Sequence, residues 1–181
     1  MADNNDWAII PVNTKPIPIK DITITNPADL AQIGRRIQHW SKMKQYSYGE
    51  RLNPMIEYLK NCKETFLYKV NFDLIHLISD TLGIKDTKIE LDLNTRENMS
   101  TGSIISHIVN SRGDTYLSGS SGPNYLTTQD LKEVNKICIQ ELKKDIPKYS
   151  VLHLIAEKKE PLKTLRNLGT WKEWSKPTLA A

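Results

Sequence analysis

TGSIISHIVNSRGDTYLSGSSGPNYL, residues 101–126, sets the fold class, because a helical pattern, a short strand and a glycine-rich loop follow one another within it. Ile104, Ile105, Ile108 and Val109 recur at helical spacing behind Thr101, a residue that can cap a helix start. Asp114 to Leu117 then reads as a strand. It runs into Ser118-Gly119-Ser120-Ser121-Gly122-Pro123-Asn124-Tyr125, the one glycine- and serine-dense segment of the sequence.

The same alternation extends in both directions. Upstream, Trp7 to Val12 and Asp21 to Thr25 read as strands joined by an extended connector around Pro16 and Pro18. Asn26-Pro27 supplies an N-cap and a first-turn proline for a helix whose apolar face is Leu30, Ile33, Ile37 and Trp40. After a turn at Tyr46 to Gly49, the residues Leu52, Met55, Ile56 and Leu59 repeat that pattern, with Pro54 early enough for a first turn. A third helix runs from about Asn71 to Leu82 and stops at Gly83, a left-handed C-cap, before a strand at Thr87 to Leu91. Downstream, Asp130 to Glu133 reads as a helical turn, Lys136 to Leu142 as a strand and Tyr149 to Glu157 as a helix. The remainder holds one short helical segment, Trp171, Trp174 and a loose end.

Strands separated by helices, with few hairpin signals, predict a single layered α/β domain over residues 1–170, with a mostly parallel, Rossmann-like sheet flanked by helices and a tail at 171–181. A chain of 181 residues can bury one good core. The 25 Lys and Arg against 21 Asp and Glu give +4, with the two signs interspersed, which is a solvated surface and argues against a nucleic-acid partner. Cys62 and Cys138 lack ligand spacing, so neither a zinc site nor a disulfide framework is expected. Met1 to Asp6 is polar and acidic, unlike a signal peptide. The apolar stretches fall short of the ~20 residues a membrane span needs, so a cytoplasmic chain is expected.

Loops beyond the carboxyl ends of parallel strands line the ligand crevice of such sheets. Residues 118–125 are placed in that way: Gly119 and Gly122 allow close backbone approach and positive φ, Ser118, Ser120 and Ser121 offer hydroxyls for phosphate or sugar oxygens, and Tyr125 offers a ring and a hydroxyl. The segment is no P-loop, dinucleotide fingerprint or nucleophile elbow, and a plain surface turn is the competing reading. Arg35 and His39, four apart on one helical face, can assist an anionic ligand, although solvated side chains are the commoner outcome. His76 and His153 sit in apolar helical stretches and read as structural, while His107 is open between a proton-transfer role and a surface position. The carboxylates Asp73, Asp80, Glu90 and Asp92 form no evident acid/base pair, and no metal motif is present. Trp171 and Trp174 read as a patch anchoring the last segment.

Leu82-Gly83-Ile84, then Tyr116-Leu117-Ser118-Gly119, Gly122 and Tyr125-Leu126 resemble the central part of the WbqC-like family, which pairs a helix ending in Leu-Gly-Ile with a Tyr-Leu-Ser-Gly loop. Weaker similarity extends through Trp7 to Val12, Asp21 to Ile24 and Tyr149 to Ile155. The family's usual opening, a His-Gln-Pro segment and an aromatic-proline-tryptophan turn, does not precede Trp7, so the resemblance begins near the family's third strand. The later tyrosine- and proline-rich region is shortened to Asp145-Ile146-Pro147-Lys148. The resemblance implies a transferase-like protein of bacterial surface-polysaccharide (O-antigen) biosynthesis that takes an activated sugar. The alternative is a shortened, non-catalytic module that binds a nucleotide-sugar or a protein partner. No cofactor is specified by either. A sheet without its first strands exposes an edge that a second copy, in a homodimer, can cover.

Overall fold

The computed structural model describes residues 9–13, 17–93, 99–112, 115–122, 134–143 and 150–174. The starts of the expected strands at Trp7 and Asp114, the expected turn at Asp130 to Glu133, Tyr125, Tyr149 and the tail beyond Trp174 lie outside them. The chain divides into two compact units: residues 1–93 with 149–164, and residues 94–148 with 165–181.

The first unit is helical. Its α1 (Ala28–Met43) starts where Asn26 Oδ1 accepts the Ala28 N–H at 3.1 Å and buries Leu30, Ile33 and Gly34. A short 3-10 turn, Gly49–Leu52, leads into α2 (Asn53–Asn61), with a proline in the first turn as expected. Gly34 sets the approach of these helices, since a Cβ there would stand 3.0 Å from the Ile56 carbonyl oxygen and 3.2 Å from Leu59 Cβ. α3 (Leu67–Leu82) ends on Gly83 at φ 75, with the Ile84 N–H donating to Ser79 O at 2.9 Å and the Gly83 N–H to Asp80 O, a 6→1 Schellman closure. α5 (Val151–Glu157), capped by Ser150, returns to this unit. It places Ile155 and Ala156 against Leu52, Met55 and Ile56, all of them 2% exposed or less. Burial of each large aliphatic side chain contributes about 1.5–3 kcal/mol. A second cluster gathers Ile24, Leu30, Ile33, Leu59 and Val70. Arg51 ties the Gly49–Leu52 turn to the end of α5, donating to the Lys158 carbonyl at 3.0 Å while its guanidinium lies 4.2 Å above the Tyr48 ring.

Two expected strands in this unit shrink to isolated antiparallel bridges, Val12 with Ile24 and Thr23 with Phe66. Pro11 has no N–H to give a ladder, and Asp21 is taken up by a 3-10 turn at Ile19–Asp21. Thr87 to Leu91 forms no strand either. Its alternation rests on two apolar residues, and Leu91 remains 42% exposed, so no burial compensates for ordering it.

The second unit holds the sheet. Here α4 (Thr101–Arg112) begins one residue from the expected cap: Ser100 Oγ accepts the Ser103 N–H at 3.1 Å, and Thr101 is the first helical residue. β1 (Thr115–Ser118) pairs parallel with β2 (Lys136–Leu142), which pairs antiparallel with β3 (Gly169–Glu173), so the sheet is small and mixed, in the order β1-β2-β3. β3 was hidden in the sequence by Lys172 and Glu173, charges that the ladder carries outward: Lys136 Nζ reaches Glu173 at 3.3 Å and Lys172 Nζ reaches Glu141 at 3.5 Å. The chain between α5 and β3 carries the short helix α6 (Pro161–Arg166).

Strand alternation sorts the sheet's side chains into two faces. Tyr116, Ile137, Ile139 and Trp174 join Ile105, Val109 and Val134 in the core on one face. Leu117, Leu142 and Trp171, between 52% and 55% exposed, stand on the other. The two tryptophans therefore do not form one patch: Trp171 belongs to β3, and only Trp174 packs into the core, its backbone N–H donating to the Ile137 carbonyl at 2.8 Å.

Candidate functional site

The glycine- and serine-dense segment starts where β1 stops. Ser118 is not a loop residue. It is the last residue of β1, pairs with Ile139 of β2 and is 3% exposed. Its hydroxyl oxygen is buried and makes no hydrogen bond. Leaving a polar group of this kind unsatisfied costs about 1–3 kcal/mol, so it is a local departure from a well-satisfied interior.

Beyond it the chain makes a tight turn, closed by the Gly122 N–H donating to the Gly119 carbonyl at 3.0 Å. Gly119, Ser120 and Ser121 are exposed and Gly122 is buried. Gly119 has no positive φ, so the turn does not use the left-handed conformation that glycine allows there. A Cβ built on it meets nothing within 4 Å, so the backbone stands open to approach. Since β1 and β2 are parallel, the turn leaves the sheet at the end where both strands have their carboxyl termini.

Arg35 and His39 are exposed on α1, in the first unit, whereas the Ser118–Gly122 turn is in the second. Tyr125 lies outside the described residues. His107 is exposed on α4. His76 packs edge-on to Phe72, one helical turn away, at 4.4 Å between centroids, and His153 packs edge-on to Trp40 at 4.6 Å. Both rings serve the helical packing. Among the described residues, no group of three or more His, Cys, Asp and Glu side chains is placed to hold a metal ion.

One polar constellation escaped the sequence. Tyr58 on α2 donates its phenol to Asp73 Oδ2 on α3 at 2.7 Å. Burial, with the Cys62 thiol and the Asp73 carboxylate beside it, pushes the Tyr58 pKa far above its ordinary range. The phenol is thereby held as a donor. Tyr58 on α2 and Cys62, the residue that follows the helix, are four apart, a spacing that sequence can show, but Asp73 enters only through the packing of α3.

A family model described as the WbqC-like protein family matches residues 1–154. The chain belongs to this family. The match spans the Tyr116–Gly122 stretch as well as the helices before it, so the WbqC-like assignment rests on both units. No curated protein and no solved structure matches the chain significantly.

Proposed function

We propose that this WbqC-like chain is a cytoplasmic, transferase-like protein of bacterial surface-polysaccharide (O-antigen) biosynthesis that holds an activated sugar at the carboxyl end of β1. The Ser118 hydroxyl carries the reading: it is a buried polar group with no hydrogen bond, in the residue that immediately precedes a turn exposing Ser120 and Ser121. Gly119 leaves its backbone open to a sugar or phosphate oxygen, and Tyr125 orients the ligand. The parallel β1–β2 pair is the Rossmann-like kernel of the scaffold, and residues 1–170 act as one WbqC-like domain. Both proposals lean on a family match that spans the two units.

A second reading is favoured by the chemistry of the turn. Residues 117–122 contain hydroxyls and amides but no carboxylate, imidazole or amine. Such groups bind without transferring protons at neutral pH, which suits a non-catalytic module for a nucleotide-sugar or a protein partner. β1 is an edge of the described sheet, and a second copy pairing along it would make a homodimer.

Calorimetry against a panel of nucleotide-sugars separates these readings. One member should bind, and replacing Ser120 and Ser121 by Ala should weaken it by about tenfold or more, as loss of two hydrogen bonds to a charged group implies. Turnover of the bound nucleotide-sugar identifies the transferase, whereas binding without turnover identifies the module. Affinity unchanged by the double substitution rules out the turn as the site.

A further inference from the structure

The outward face of α1 collects one sign of charge. Between Asp29 and Glu50 the sequence has no acidic residue, yet it carries Arg35, Arg36, His39, Lys42 and Lys44. Gln32, Arg35, Arg36, His39, Lys42 and Met43 are all exposed and fall within an arc of about 120° at helical spacing. Leu30, Ile33, Gly34 and Ser41 are buried on the opposite side, where Gly34 meets α2. Elsewhere lysines tend to be neutralised: Lys60, Lys69, Lys136, Lys158, Lys163 and Lys172 each sit within 3.5 Å of a carboxylate. Arg35, Arg36 and Lys42 have no ion pair among the described residues.

We propose that this face docks the chain onto an anionic phospholipid surface, with Arg35, Arg36 and Lys42 over the headgroups and Met43 at the acyl boundary. Charge complementarity is the first argument, because Arg35, Arg36 and Lys42 set three cations on one face of α1 with no acidic residue between Asp29 and Glu50, and basic residues on a helix are drawn to anionic headgroups. The second is Met43, an apolar side chain left 68% exposed among cations, which gains from a headgroup boundary and gains nothing from water. The cations span about 10 Å along the helix, so neighbouring headgroups can meet them together. A nucleic acid fits less well. Single strands bind by stacking on exposed aromatic rings, and the one aromatic residue of α1, Trp40, is half-buried against Tyr46 and His153. No described helix is long and apolar enough to cross a membrane, so the contact is peripheral.

Sedimentation of the full chain with phosphatidylcholine vesicles, with and without about one third phosphatidylglycerol, tests the proposal. Binding is expected only to the anionic vesicles, and raising NaCl from about 0.1 to 0.5 M should release it. The double variant Arg36→Glu, Lys42→Glu should lower the partition by more than about tenfold, and Met43→Ser should lower it severalfold, both with an unchanged circular dichroism spectrum. No binding of the unaltered chain, equal binding by the charge-reversed variant, an unaltered partition with Met43→Ser, or binding of a single-stranded oligonucleotide in preference to the vesicles would each overturn it. Arg36 and Lys42 take no part in the proposed sugar site, so either idea can fail without the other.

Discussion

The helical unit and the sheet unit handle buried groups differently. In the first, helices α1, α2, α3 and α5 turn their apolar stripes toward shared clusters, and Leu30, Leu52, Met55, Ile56, Val70 and Ile155 are each 2% exposed or less. In the second, the strands divide their side chains between two faces, so Ile137 is enclosed while Leu117, Leu142 and Trp171 are half exposed. One polar side chain from each unit can be set side by side. The Tyr58 phenol has a carboxylate partner at 2.7 Å, but the Ser118 hydroxyl has none.

The largest test of this contrast compares Leu52→Ala with Ile137→Ala. Each should lose about 2–5 kcal/mol, read by denaturant unfolding, with Leu52→Ala at the upper end because more neighbours enclose it. Amide exchange should then separate the units: Leu52→Ala releases α2 and α5, and Ile137→Ala releases β1, β2 and β3. Equal loss of protection everywhere in both variants would merge the two units into one cooperative block.

A smaller effect is expected at Tyr58. Tyr58→Phe should cost about 1–2 kcal/mol near neutrality, since Asp73 loses its donor. The sign with pH follows from the raised phenol: its contribution is fully present below the ordinary value of 10.0 and is lost as pH climbs beyond it, because the unfolded tyrosine ionises first. Thermal melts between neutral and strongly alkaline pH should therefore fall less steeply at the alkaline end for Tyr58→Phe. Identical alkaline slopes would mean that the phenol ionises as freely when folded as when unfolded.

The smallest expected change is a gain. Gln45, just beyond the Lys44 cap of α1, has φ 51, a left-handed conformation that costs a side-chain-bearing residue about 1 kcal/mol. Gln45→Gly should raise stability by about 0.5 kcal/mol after the added flexibility of the unfolded glycine is set against the relief. A drop in melting temperature would show that the glutamine side chain contributes more than its backbone costs.

Helices were the readable part of this sequence. The Leu30, Ile33, Ile37 period, Pro54 in a first turn and Gly83 as a left-handed cap depend on residues near each other in the chain, and each occurs in place. Strands depend on partners that the chain supplies elsewhere. Lys136 to Leu142 was legible because it is the central strand with apolar residues on both faces, whereas β3 looks like a charged tail until Cys138 and Gln140 are set beside Glu173 and Trp171. Thr87 to Leu91 had the alternation without the partner. At the candidate site the position of the turn was legible, but the burial of Ser118 was not, because a serine before glycine reads as loop until its register with Ile139 is known.

The order in which the units use the chain bears on how the protein is made. Leu52, Met55 and Ile56 wait for Ile155 and Ala156, about a hundred residues later, and the whole of β1 and β2 is synthesised in between. A nascent chain halted before residue 151 therefore carries an oily groove with no lid, and a fragment cut there for expression would be sticky. The last helix of the first unit acts as a late-arriving clasp, so the carboxyl-terminal third of the polypeptide decides whether its first third is finished.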